Sequence, residues 1–449
     1  MKHEKKNSSL KLKMIKILKE PLLYLLIIIA IIQGIIYSNM PVYGETGDSD
    51  GYLHIYDSES IFKGYLSDSR PPVYSYFIKV IKKIGGEENL EINVVKAQKL
   101  LFFISIILFY CTIRLLTKKK IIICILTFIF GISPSIIIWN TFIITESIVG
   151  LEVLILAFIT IKYLKNPSKI LAGLMGIVIL GMILTKPALI YLLPIYILFV
   201  ILRFILNKEE RKKLFFAIGS LLICGVVLIL YCMQIKNLYG IFALTSISNI
   251  NNRLCVIYSG AYEEIRDNAI ANEVLELVAE QPITEGRTYE INGKITDTHS
   301  AEELKEFVEL AVKTNTYKEY MLNRVIALGS ENIGTAYPTG EPYDKEASQN
   351  LSSISRILIP ITFGFIYIVI LGSVIYLVWY LIKYKKINWI SAFFTSTIFS
   401  GLFTLIVGAP FEPQRLFFPS ICLVILYVGV ILDKIILKEE KLLNEKNIE

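Results

Sequence analysis

The sequence has little of the material from which metal sites and disulfide frameworks are built. Its 449 residues include three histidines and six cysteines, and no two cysteines have the CxxC spacing. The cysteines lie mostly inside apolar runs, where a free cysteine behaves as a small apolar residue. This shortage supports neither a zinc site of clustered Cys and His nor a disulfide framework. Nothing indicates nucleic-acid binding, because the basic residues lie in short loops that set membrane orientation.

Long polar stretches are equally scarce, which excludes an ordinary soluble protein. Hydrophobic residues make up 54% of the chain, and the mean hydropathy is +0.58. A helical span needs about 20 apolar residues, and runs of that length recur along the sequence. The predicted fold class is therefore an all-α polytopic membrane protein. We expect about ten transmembrane helices, near residues 22–38, 98–116, 121–138, 145–164, 169–185, 187–206, 214–235, 355–382, 388–408 and 416–437.

Lys and Arg are missing from two short loops, and this asymmetry predicts the topology. The turns near residues 139–144 and 409–414 carry neither residue, whereas the loops on the other side are basic. By the positive-inside rule, both termini are cytoplasmic in a multi-pass protein of the cell membrane. The basic N-terminal tail and the apolar run after it lack a small-x-small cleavage site, so we interpret that run as an uncleaved span.

The spans divide the chain into three predicted modules. Residues 1–235 form an N-terminal membrane module with seven spans and a first outer loop at 39–97. Residues 236–354 form a small, mostly helical extracytoplasmic domain, and residues 355–449 form a C-terminal membrane module with three spans and a cytoplasmic tail. In the first outer loop, apolar residues at helical spacing alternate with lysines over residues 73–84. This pattern predicts an amphipathic helix that lies in the membrane interface.

The extracytoplasmic domain is predicted to contain two helical stretches, Ala261 to Glu280 and Ala301 to Leu328. Between them, the Asn-Gly pair at 292–293 lies among alternating residues and predicts a hairpin turn. Ser300 and Glu303 have the spacing of a capping box at the start of the second stretch.

Ionisable residues at the predicted outer ends of the spans are candidate site residues. A charge within the hydrocarbon costs about 2.5–3.5 kcal/mol and marks a paired or water-lined position. With the first outer loop, the set comprises three carboxylates and three cations, and they are Asp48, Asp50, Glu146, Arg70, Lys186 and Arg415. A carboxylate beside a hydroxyl can act as a general base, and fixed cations can hold a phosphate and stabilise it as a leaving group. The set predicts group transfer from a phosphate-bearing donor.

Each candidate also has a structural interpretation. Asp48 and Asp50 can be solvated loop carboxylates, or their oxygens can help to hold a divalent cation. Glu146 can stabilise the start of its helix through the helix dipole. Arg70 and Arg415 can anchor the chain at the membrane interface.

Four short motifs occur in order along the chain. The first comprises Gly47-Asp48-Ser49-Asp50-Gly51-Tyr52 followed by Arg70-Pro71-Pro72-Val73-Tyr74-Ser75, and the others are Thr145-Glu146-Ser147, Lys186-Pro187 and Arg415-Leu416-Phe417-Phe418-Pro419. They resemble motifs of the GT-C membrane glycosyltransferases, in particular the bacterial proteins similar to protein O-mannosyltransferases and aminoarabinose transferases (glycosyltransferase family 39-like). The chain departs from the family pattern at Val73 and Ser75, which replace glycine and proline, at Lys186, where arginine is common, and at Leu416, where tyrosine is usual.

The resemblance implies a GT-C-like fold and a glycosyltransferase that uses a polyprenyl-phosphate-linked sugar. It implies that Asp48 is the general base and that Glu146 orients the acceptor or a metal. The carrier phosphate would be bound by Arg70, Lys186 and Arg415. The other substrate-binding candidates are Asp50, Tyr52 and Tyr74.

The acceptor would be a protein, lipid or cell-envelope glycan on the extracytoplasmic face. Two further functions stay open: a flippase or transporter of lipid-linked glycans, and an envelope glycan polymerase or ligase.

Overall fold

The computed structural model describes residues 21–38, 40, 42–53, 69–327, 366–408 and 413–446. These residues are helical apart from connecting turns and an isolated β-bridge, which confirms the predicted all-α class. In chain order, the helices are α1 (Pro21–Ser38), α2 (Gly47–Leu53), α3 (Pro72–Gly85), α4 (Leu90–Leu116), α5 (Lys120–Ile132), α6 (Glu146–Lys165), α7 (Lys169–Thr185), α8 (Leu192–Leu206), α9 (Arg211–Tyr239), α10 (Ile247–Ser259), α11 (Ala269–Glu280), α12 (Glu285–Thr298), α13 (Ala301–Ala311), α14 (Asn315–Ala327), α15 (Ile366–Tyr384), α16 (Trp389–Val407) and α17 (Pro413–Lys446). Shorter helical turns lie at Pro134–Ile137, Ile138–Thr141, Pro187–Tyr191, Lys208–Glu210 and Ala261–Glu264.

The predicted spans coincide with apolar helices of the structure. Eight helices of the described segments are long and apolar enough to cross a membrane. The other two predicted spans coincide with the shorter apolar helices α5 and α7. Helix α5 ends ahead of the Ser-Pro pair at 133–134, because the residue before a proline disfavours the helical conformation. The exact number of crossings stays a prediction, and the first part of the span predicted at 355–382 lies outside the described residues.

Helices α6 and α17 form the centre of the membrane part. They are the most buried of the candidate spans, and they pack against each other as well as against α4, α5, α7 and α16. The contact is close at Gly150, where an added Cβ would lie 3.3 Å from the ring of Phe418. The first turn of α6 carries Glu146 and the first turn of α17 carries Arg415, so this packing brings two candidate site residues to the same end of the bundle.

The start of the first long loop is fastened to the segment before α6. Gly44 forms a parallel β-bridge with Phe142 and donates its N–H to Thr141 O at 2.8 Å. An added Cβ on Gly44 would lie 2.7 Å from the Phe142 ring, so this approach needs glycine. On α2, Ser49 Oγ donates to Ile143 O at 2.9 Å. These bonds fix α2, and with it Asp48, beside the start of α6.

The predicted amphipathic helix is present as α3, which begins at Pro72. Part of its apolar face is covered by protein: Tyr74 and Ile78 are fully buried against residues of α4 such as Leu90 and Val94. Placement of α3 in a membrane interface stays a prediction.

Residues 247–327 form a helical insert with its own core, centred on Val256, Ile257, Ile291 and Phe307. The insert is helical, as predicted, and the capping box of Ser300 is present at the start of α13. The division of the chain into three modules stays a prediction.

The hairpin turn predicted at 292–293 is wrong, because this segment is helix α12. Thr284 caps the helix by accepting the N–H of Arg287 at 3.2 Å. Ile291 and Ile295, four residues apart, are fully buried on one face. Burial at helical spacing therefore outweighs the turn preference of the Asn-Gly pair.

The two predicted helical stretches are also divided more finely than expected. In the first, a short turn precedes Asn268, whose side chain caps α11 by accepting two backbone N–H groups. The second is interrupted between α13 and α14 around Thr314. Leu328 lies outside the described residues.

Candidate active site

Five predicted site residues meet in one continuous set of ion pairs, named here the charge cluster: Asp48, Arg70, Glu146, Lys186 and Arg415. Asp48 Oδ1 accepts from Arg70 Nη2 at 2.6 Å, and Asp48 Oδ2 pairs with Arg415 Nη1. Glu146 Oε1 accepts from Arg415 Nε at 2.6 Å and from Lys186 Nζ at 2.7 Å. Arg415 therefore bridges the two carboxylates. The residues come from α2, the start of α3, α6, the end of α7 and α17.

The charge cluster is largely withdrawn from solvent. Glu146 is fully buried, and Lys186 and Arg415 are each 8% exposed. These cations are already desolvated and are held in place by the carboxylates, which makes them suited to contact an anion.

Asp48 is the most accessible member of the charge cluster, with 27% of its side chain exposed. Burial of its carboxyl raises the pKa, but Arg415 and Arg70 outweigh burial and lower the pKa to about 2. Asp48 is thus ionised at neutral pH and is a weak base while both guanidinium groups hold it. A stronger base requires that one of them moves away.

Tyr52 and Tyr74 lie next to Arg70 of the charge cluster. The Arg70 guanidinium lies 4.8 Å from the centre of the Tyr52 ring, and the two tyrosine rings meet edge to face. Tyr74 is fully buried and its hydroxyl donates to Gln98 Oε1 at 2.6 Å. The Tyr52 ring therefore packs against Arg70, and the Tyr74 ring packs against Tyr52. Contact of either tyrosine with substrate stays a prediction, and the burial of the two rings does not support it.

Asp50 lies on the exposed side of α2, and its role stays a prediction. A divalent cation does not fit the acidic residues as they are placed, because both oxygens of Asp48 bind guanidinium groups. Within the described ranges, no group of three His, Cys, Asp or Glu side chains has a spacing that would hold a metal.

Several buried polar residues near the charge cluster were not among the predicted site residues. Gln98 Nε2 donates to Phe142 O at 2.6 Å, and Ser147 Oγ donates to Asn140 Oδ1 at 2.8 Å. Glu152 accepts from the Thr185 hydroxyl at 2.9 Å, directly before Lys186 in the chain. The signal for Glu152 was available, since it is a charge within a predicted span. Gln98 and Asn140 are uncharged and give no comparable signal.

An apolar cavity lies beside the cluster, between α6, α8, α16 and α17. It is small, with a volume of about 20 Å³, and its lining includes Ala188 and Leu416, which lie close in the chain to Lys186 and Arg415. Most of its walls are apolar, and the hydroxyl-bearing residues are Tyr191, Tyr196, Thr397, Ser400, Thr404 and Ser420. The cavity therefore has room for about one water molecule in this conformation.

The apolar helices define a multi-pass membrane protein, and the charge cluster lies at one end of its spans. Residues 69–231 match the family model of the dolichyl-phosphate-mannose-protein mannosyltransferases. This match confirms the resemblance inferred from the motifs. It includes Arg70, Glu146 and Lys186, whereas Asp48 and Arg415 lie outside it. A comparison with curated proteins finds no significant match.

Solved structures with a similar course of the chain include oligosaccharyltransferases of Archaeoglobus fulgidus. One is AglB in complex with an inhibitory peptide and a dolichol-phosphate, with 13% identity, a TM-score of 0.49, and coverage of 93% of this chain and 51% of that chain. A second is a complex with Zn and sulfate, with 14% identity, a TM-score of 0.46, and coverage of 92% and 49%. The chain thus spans about half the length of these proteins.

Proposed function

We propose that the protein transfers a sugar from a polyprenyl-phosphate carrier to the hydroxyl group of an acceptor on the extracytoplasmic face. The observation that carries this proposal is the charge cluster, which combines a partly exposed carboxylate with buried cations. It agrees with the mannosyltransferase family whose model matches residues 69–231.

In this proposal, the donor phosphate binds Arg415 and Lys186. Both groups are held within hydrogen-bond distance of Glu146, so Glu146 fixes their positions without exposing a negative charge at the surface. Lys186 Nζ also donates to the backbone carbonyl of Arg415 at 3.1 Å, which keeps the two cations together. Such fixed cations stabilise the charge that the phosphate gains as it leaves.

The transfer is a single displacement at the anomeric carbon. The acceptor hydroxyl gives its proton to Asp48, and its oxygen forms a bond to that carbon. The bond between the carbon and the phosphate oxygen breaks, and the polyprenyl phosphate leaves with the electron pair. Because one displacement inverts the attacked carbon, the product linkage has the opposite anomeric configuration to the donor.

Binding of the donor would also make Asp48 a better base. In the structure, Arg415 is shared between Asp48 and Glu146. A phosphate that attracts Arg415 weakens its pairing with Asp48, and the pKa of the carboxyl then rises from its low value. Proton transfer is thereby favoured once the donor is present.

The test uses the purified full chain in lipid nanodiscs with a radiolabelled polyprenyl-phosphate sugar and a mixture of envelope acceptors. Asp48→Asn removes the base, and we expect transfer to fall by about 10²- to 10⁴-fold. The matched control is Asp267→Asn, since Asp267 is an exposed aspartate of the helical insert. Asp48→Asn protein that folds and transfers sugar at the wild-type rate would refute the base assignment.

The same preparation separates the rival functions. In sealed vesicles, movement of the lipid-linked sugar to the other leaflet without its consumption would support a flippase. Transfer onto a second lipid-linked oligosaccharide, with no transfer to protein, would support a polymerase or ligase.

A further inference from the structure

Arg324 of the helical insert binds the end of a membrane helix. It lies in the last turn of α14, and its Nη2 donates to Leu405 O at 2.5 Å while its Nη1 donates to Gly408 O at 3.2 Å. Both carbonyls lie at the C-terminal end of α16, where the last carbonyls of a helix lack partners within it. A cation at this end is also favoured by the helix dipole. Arg324 is therefore a helix cap supplied from a distant part of the chain.

A second helix of the insert reaches the same place. Cys255 of α10 is 3% exposed, and its Sγ lies 3.6 Å from Gly408 O. Arg324 Nη1 also lies 3.6 Å from this sulfur. Two helices of the insert thus contact the same carbonyl group, Gly408 O, through two different side chains.

The capped end of α16 touches both chain segments that carry the proposed phosphate ligands. An added Cβ on Gly408 would lie 2.8 Å from Leu416 Cδ1, and Leu416 follows Arg415 in the chain. On the other side, Thr404 Oγ1 donates to Ala188 O at 3.5 Å, two residues after the lysine of the cluster. A displacement of this helix end would therefore displace both cations.

We propose that Arg324 is a positioning residue that couples the helical insert to the charge cluster. It holds the end of α16 so that Arg415 and Lys186 keep their places between the carboxylates. The effect on catalysis rests on the proposed function, whereas the effect on the position of α16 does not. Coupling of this kind is reciprocal, so a molecule that moves the insert would also change the affinity of the cluster for an anion.

The test compares amide hydrogen exchange of the full chain in nanodiscs for the wild type, Arg324→Gln, Arg324→Lys and Arg266→Gln. Arg266 is the matched control, because it is an exposed arginine of the insert that donates to a carbonyl within its own turn. We expect Arg324→Gln to raise exchange at residues 402–408 and 415–420 by roughly tenfold, since capping bonds from a charged group are lost. Arg324→Lys should restore part of the protection, because one ammonium group can reach one carbonyl.

The insert core provides the decisive comparison. Exchange at 291–295 and 304–307 should stay at the wild-type level in Arg324→Gln. Unchanged exchange at 402–408, or an equal rise in the insert core, would overturn the proposal, because the residue would then have no role or only a general structural one.

A transfer assay extends the test to catalysis. With a polyprenyl-phosphate sugar as donor, Arg324→Gln should lower kcat/KM for the donor by roughly tenfold, with partial recovery in Arg324→Lys. A rise in exchange with an unchanged donor kcat/KM would overturn the coupling to the cluster. If the wild type transfers no sugar, the proposed function fails, whereas exchange at 415–420 still decides whether Arg324 positions the start of α17.

Discussion

Replacement of Arg415 by glutamine removes the cation that the two carboxylates of the cluster share. Glu146 keeps its bond to Lys186 at 2.7 Å, and Asp48 keeps its bond to Arg70 at 2.6 Å. Loss of one partner from a buried pair costs about 3–5 kcal/mol when the other charge is left alone. Because each carboxylate retains one cation here, we expect a smaller loss of about 1–3 kcal/mol in the free energy of unfolding.

The expected effect on transfer is larger than the effect on stability. A fixed donor to a leaving anion contributes about 2.7–4 kcal/mol to the transition state, which corresponds to about a 10²- to 10³-fold loss in kcat/KM for the donor. The assay measures release of radiolabelled sugar from the polyprenyl-phosphate donor, together with binding of polyprenyl phosphate alone. Both should be weakened in Arg415→Gln.

The matched control is Arg203→Gln. Arg203 is 3% exposed, pairs with Glu210 at 2.9 Å and donates to Leu164 O at 3.2 Å. Leu164 lies near the other end of α6, about 27 Å from Glu146 at ~1.5 Å per helical residue. Arg203→Gln should be destabilised to a similar degree and keep its donor kcat/KM. Folded Arg415→Gln with a donor kcat/KM within about threefold of the wild type would refute the phosphate assignment.

Two further predictions follow from α2 and its partners. The native pKa of Asp48 is lowered from 3.8 to about 2, so its ion pairs stabilise the fold above about pH 4 and lose this contribution as the pH falls towards about 2. The difference in unfolding free energy between wild type and Asp48→Asn should therefore shrink between pH 5 and pH 2.5. A constant difference would contradict the pairing. An added Cβ on Gly51 would lie 2.8 Å from Arg70 Nε, whereas an added Cβ on Gly47 would meet open space. Gly51→Ala should therefore lower transfer by roughly tenfold with little change in melting temperature, and Gly47→Ala should leave transfer unchanged. Equal activity of the two variants would show that the position of Arg70 is unimportant.

Much of the fold could be predicted because membrane burial leaves a strong local signal. Apolar runs of span length give the helices, since every backbone polar group in the hydrocarbon must be paired within its own helix. Outside the spans the signal is weaker. The Asn-Gly pair at 292–293 predicted a turn, but Ile291 and Ile295 bury one face of a helix there. Core packing across the insert, which no local pattern records, decided the conformation.

The candidate site divides in the same way between sequence and structure. The sequence by itself determined which ionisable residues lie at one end of the spans, because a charge near hydrocarbon is costly and therefore conspicuous. Only the tertiary structure decided their pairing. Arg415 reaches Asp48 and Glu146 because α17 packs on α6 and because the Gly44 bridge holds α2 beside them. These contacts join residues far apart in the chain, and their geometry depends on the packing of whole helices. The contact between Arg324 and the end of α16 was also decided only by the tertiary structure. Nothing in the sequence around Arg324 predicts that its partner is a carbonyl 81 residues away.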